Sequence, residues 1–169
     1  MPIQPFETLA PRSRLWIFGA DRPLTSAEAE RVEAHVEDHL ESWNAHGHPV
    51  VGGYRITHHT FVMVAADEVA SGVSGCSIDR LFAVLGDVEQ ETGRVLRDAG
   101  RIWYRDREDA VVCLPRPEFR ALAESGAVGD DTIVFDPTIT RIEEIDRFEV
   151  PLRDSWHARA FATAFAAGG

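Results

Sequence analysis

Lysine is absent from this 169-residue chain; all 17 basic residues are arginine. That absence alone excludes a G-x-x-x-x-G-K-[ST] phosphate loop, whose lysine reaches the nucleotide phosphates. Cysteine is nearly absent too. Cys76 and Cys113 are too few for a disulfide framework or a zinc quartet, so reduced thiols and a cytoplasmic location are expected. No apolar run approaches the ~18 residues that cross a bilayer. The N-terminal stretch has no basic n-region leading into an apolar h-region, so neither secretion nor a membrane partner is expected. Positive charge is outnumbered: 28 acidic residues leave a net charge of −11. Nucleic acid is therefore not an expected partner, because a phosphate backbone demands a positive footprint. Such an acidic surface is halophilic in character, since salt screens its self-repulsion.

What is present reads as a folded protein, with 44% hydrophobic and 27% charged residues. Residues 1–12 carry Pro2, Pro5 and Pro11 and read as an arm, leaving 13–169 as a single α+β domain. "RLWIFGA" (14–20) suits a strand. Thr25 and Glu28 form a capping box for a helix whose stripe is Val32, Val36, Leu40 and Trp43. That helix is expected to end near His46 and Gly47. "VVGGYRITHHTFVMVAAD" (50–67) reads as two strands joined near His58 and His59, with Gly52 and Gly53 marking a bulge or a curled strand.

A second helix from about Ser77 to Thr92 turns Ile78, Leu81, Phe82, Leu85 and Val88 inward. "RIWYRD" and "DAVVCL" then form a hairpin. The order to this point is β-α-β-β-α-β plus one extra strand, which predicts a ferredoxin-like βαββαβ sandwich. A C-terminal αβ extension follows. It comprises a short helix after Pro117, the strand "DTIVFD", a helix capped by Thr140 and Glu143, and a last helix from "DSWHARAF".

The most informative stretch is "SGVSGCSID" (71–79). Cys76 stands where the second helix begins, and a helix N-terminus stabilises thiolate. Gly75 and the hydroxyls of Ser74 and Ser77 would let a small molecule or anion approach the backbone, and Asp79 in the first turn is a candidate general base. His157, in "SWH", is the candidate partner for a thiol nucleophile. The competing reading has Ser74 or Ser77 capping the helix and Cys76 packed inward, as free cysteines usually are. For "SWH" it has Trp156 anchored on the core and His157 bonded to a backbone carbonyl. Six of the seven histidines lie between 35 and 59, and His35 and His39 have the i, i+4 spacing of metal ligands. No H-E-x-x-H accompanies them, so no metal and no cofactor is expected.

"RLWIF", "SWNAHG", "SGCSID", "TIVFD" and "EVPLRDSWH" occur in that order, and over residues 13–160 the chain resembles a family of short bacterial proteins. Members are often labelled ABC transporter ATPases, but a lysine-free chain cannot carry the phosphate loop such an activity needs. The family supplies no established catalytic residues. The sequence therefore leaves two functional expectations. One is a small-molecule or anion pocket at the Gly75-Cys76-Ser77 helix start, with or without thiol chemistry. The other is a non-catalytic interaction module that forms a homodimer, or docks through an aromatic sheet edge around Trp103.

Overall fold

A computed structural model of the chain describes residues 3–68 and 75–168, with Cys76 through its backbone alone. It is an α+β structure in four layers, with two antiparallel sheets at its centre and helices on both outer faces. The first sheet has the order β1-β5-β4, built from β1 (Arg14–Gly19), β4 (Gly52–Thr57) and β5 (Phe61–Ala66). The second has the order β7-β6-β8-β9, from β6 (Arg101–Arg105), β7 (Val111–Pro115), β8 (Ile133–Phe135) and β9 (Glu149–Pro151).

The period-2 alternation of the strands dictates this layering. On β5, Phe61, Met63 and Ala65 face the second sheet, while Val62, Val64 and Ala66 face helices. β5 is buried along its whole length because both its faces are covered. On β6, Trp103 faces the first sheet, while Ile102 and Tyr104 face the C-terminal helices. Between the sheets, Phe61 lies 5.0 Å from Phe135 and 5.8 Å from Trp103, ring centre to ring centre.

The ferredoxin-like sheet expected from the element order is not closed. Its 1-3-2 portion is present as β1-β5-β4, but β6, expected beside β1, pairs with β7 and β8 instead. Part of the free edge of β1 is taken by the chain near Thr140, whose carbonyl accepts the Leu15 N–H at 2.8 Å.

Helix α1 (Ser26–Ser42) begins with the expected capping box. Thr25 Oγ1 accepts the Glu28 N–H at 3.2 Å, and Glu28 Oε1 accepts the Thr25 N–H at 2.9 Å. It ends earlier than His46 and Gly47. Those two residues, both at positive φ, instead form the turn between β2 (Asn44–Ala45) and β3 (His48–Pro49), the conformation a tight hairpin requires. Helix α2 (Gly75–Thr92) buries Leu81, Leu85 and Val88 against the first sheet beside α1. Phe82 departs from the inward reading. It is 41% exposed and meets Phe18 edge-on at 5.2 Å.

The arm is a strap. Phe6 and Leu9 are buried between the sheets, and the Gln4 N–H donates to the Gly52 carbonyl at 2.8 Å. This contact supplies the reason for Gly53, which the sequence reads as part of a bulge or a curled strand. A Cβ there would stand 2.4 Å from the Gln4 carbonyl oxygen. On the outer face of the second sheet pack α3 (Arg116–Glu124), α4 (His157–Ala160) and α5 (Ala162–Gly168). The turn after Thr140 is a 3₁₀ helix (Ile142–Arg147), and Glu144 rather than Glu143 accepts the Thr140 N–H, at 3.1 Å. β2, β3 and β9 are too short for periodicity to reveal.

Candidate functional site

The residues singled out by sequence do not gather in one place among the described residues. Ser74 and the side chain of Cys76 lie outside them. Gly75 opens α2 and is exposed with free space around it, Ser77 is buried, and Asp79 is exposed on the first turn. His157 belongs to the opposite outer layer. It is 1% exposed, its ring stacks on Trp156 at 3.9 Å, and its Nδ1 lies 2.7 Å from Ser155 Oγ. Ser155, rather than a backbone carbonyl, is thus its partner. Burial pushes the His157 pKa down to about 4, so the imidazole is neutral near pH 7.

The histidines of the first half have structural roles. His35 Nε2 lies 3.0 Å from Glu91 Oε1 across the α1–α2 contact, and His39 is buried against Trp43. Among the described residues no group of three or more His, Cys, Asp or Glu side chains is placed to hold a metal ion. Trp103 is only 3% exposed, so it cannot be the centre of an exposed aromatic edge.

The structure instead assembles a cleft at the β1 side of the sandwich, about 210 Å³ in volume. One wall is β1 from Ile17 to Gly19 together with Phe82 of α2. The floor is Trp103 of β6. Its Nε1 donates to the Ala20 carbonyl at 2.9 Å, which fixes the indole plane, and its six-membered ring lies over Gly19. A Cβ at Gly19 would stand 2.4 Å from Trp103 Cζ2, so glycine there leaves room for the ring. The opposite wall is Trp156, whose Nε1 donates to Asp136 Oδ1 at 3.0 Å while its ring stacks on the buried His157. "SWH" is thereby a support, with His157 backing the tryptophan that lines the cleft.

Three guanidinium groups surround this largely apolar hollow. Arg97 is engaged: its Nε donates to Glu89 Oε1 at 2.8 Å and its Nη1 to the Phe82 carbonyl at 3.2 Å. Burial raises the Glu89 pKa, but the Leu96 N–H and Arg97 outweigh it, and the net direction is down. Arg101 is engaged as well, donating from Nε to Asp98 Oδ2 at 3.0 Å and hydrogen bonding to the Cys113 thiol. Burial pushes that thiol's pKa up further than Arg101 pulls it down, so Cys113 is not a ready thiolate. Arg116, the first residue of α3, is exposed and lies 5.2 Å above the Trp156 ring. Its guanidinium makes no hydrogen bond or ion pair with any described residue.

Part of this cleft was legible in sequence. Arg97, Arg101 and Trp103 stand in "GRVLRDAGRIWYRDRED" (93–109), where arginines lie among aromatic residues. Arg116 carries no signal, and "SWH" marks Trp156 as an anchor on the core rather than as the wall of a cleft; 40 residues separate the two. No family model, curated protein or solved structure matches this chain.

Proposed function

We propose that the protein binds a small organic anion in the cleft between Trp103 and Trp156. The anion-binding expectation is retained from the sequence, but the site moves from the start of α2 to residues on both sheets. One observation carries the reading: in a chain of net charge −11, three guanidinium groups converge on a concave aromatic surface. Concave, mostly apolar hollows with a few placed polar groups are where small molecules bind. Guanidinium is the side chain best suited to planar anions and to stacking on aromatic rings.

The volume sets the size of the ligand. About 210 Å³ is below the roughly 300–1,000 Å³ of drug-sized sites, which favours a single ring over a whole nucleotide. The test is a titration of the ¹⁵N-labelled protein with benzoate and phenylphosphate. Saturable shifts are expected at the indole N–H groups of Trp103 and Trp156 and at Phe82. Ala99→Phe, which adds a ring from an exposed position in the cleft wall, should abolish them. Saturable shifts centred elsewhere, or none up to tens of millimolar, would reject the proposal.

A further inference from the structure

The charges around the cleft point to a more specific occupant. We infer that the site is built for a monocarboxylate on a flat apolar body, and that Arg116 is the group that takes the carboxylate. This rests on the cleft being the ligand site.

A count of ion pairs singles out Arg116. Arg97 is matched by Glu89, and Arg101 by Asp98. Asp136, the remaining carboxylate close by, has Oδ1 occupied by the Trp156 indole N–H and the Thr138 N–H, and forms no ion pair with Arg116. Asp136 keeps its charge, since its partners are neutral donors, but among the described residues Arg116 is the guanidinium at the cleft that makes no ion pair. A monoanion is what one unpaired guanidinium can take. A second negative charge, as on a phosphate monoester, would find no cation free and would face Asp98 and Asp136.

Geometry agrees with the charge. The Arg116 guanidinium carbon lies 5.2 Å from the centre of the Trp156 ring, and the guanidinium N–H groups make no hydrogen bond to any described residue. A carboxylate in the ring plane of an aromatic acid meets a guanidinium with two parallel hydrogen bonds. The ring of that acid then lies along Trp156 and Phe82 over the Trp103 floor. The Trp103 and Trp156 N–H groups are already used by Ala20 and Asp136, so neither competes for the anion. Specificity for the charged group falls to Arg116.

Three single-ring probes of similar size separate these terms: benzoate, benzyl alcohol and phenylphosphate. Titrations are read by NMR shifts of the indole N–H groups at pH 8, where phenylphosphate is a dianion. Benzoate is expected to bind with a dissociation constant on the order of 1 mM, as so few atoms allow. It should bind at least tenfold tighter than benzyl alcohol, and phenylphosphate should bind no tighter than benzoate. Arg116→Gln should remove the preference for benzoate over benzyl alcohol while leaving benzyl alcohol binding unchanged. Arg116→Lys should restore only part of it, because an ammonium lacks the planar fork. Arg116 is exposed, and an unchanged melting temperature checks that each variant is folded. If benzoate keeps its advantage in Arg116→Gln, or phenylphosphate binds tenfold tighter than benzoate, the inference is wrong while the cleft stands as a binding site. If no probe binds there, both fall together.

Discussion

Gly19→Ala is a one-carbon perturbation whose cost follows from a single contact. The new Cβ would stand 2.4 Å from Cζ2, 2.5 Å from Cε2 and 2.9 Å from Cη2 of Trp103. The indole cannot slide away without losing its hydrogen bond to the Ala20 carbonyl and its place against Phe61. Overpacking of this kind costs about 1–3 kcal/mol, and a rigid, tethered neighbour places this site in the upper half of that range. For a chain of this length, about 2 kcal/mol lowers the melting temperature by roughly 4–8 °C. Trp103→Phe withdraws the indole's larger ring but leaves the buried Ala20 carbonyl without its donor, at about 1–3 kcal/mol. In that background Gly19→Ala should cost under about 1 kcal/mol, so the cycle should show a coupling of roughly 1–2 kcal/mol. Urea unfolding followed by far-ultraviolet circular dichroism measures all four proteins without relying on the altered tryptophan. An equal cost of Gly19→Ala in both backgrounds would refute the contact, and with it the position of the cleft floor.

Two further outcomes follow from buried groups. His157 has its pKa pushed down to about 4 by burial, against about 6.5 when unfolded, so the folded state favours the neutral ring. Its contribution to stability is complete above about pH 6.5 and is lost as pH falls towards 4, up to about 3 kcal/mol in all. The stability gap between wild type and His157→Gln should therefore shrink between pH 7.5 and 4.5 in urea titrations; a constant gap would contradict the burial of a neutral imidazole. Phe6→Ala should destabilise by about 3–5 kcal/mol, because the strap delivers this ring into the core between the sheets beneath the Arg55 guanidinium. A loss below about 1 kcal/mol in the same assay would show that the N-terminal residues are a loose arm after all.

Much of the local structure and one exclusion are readable from the residues alone. Thr25 and Glu28 announce α1 because a capping box satisfies backbone donors within a single turn. The stripe Val32, Val36 and Leu40 states which face of α1 is buried, and the period of 2 states which residues of a strand share a face, since 3.6 and 2 are properties of the local backbone. The absence of lysine removes the phosphate loop without any reference to shape. Pairing partners are not local properties. β6 buries Trp103 on one side and Ile102 and Tyr104 on the other, a pattern that fits the edge of β1 as well as the centre of a second sheet. Pairing is settled by packing, with Trp103 edge-on to Phe61 and the chain at Thr140 bonded to the edge of β1. The same holds for the candidate site. Trp156 reads as an anchor on the core and Arg116 carries no signal, and their aromatic and ionic groups become a cleft because two sheets bring distant segments to one edge. Periodicity records which side of an element is buried; what lies against that side is a matter of long-range packing, and the cleft consists of such contacts.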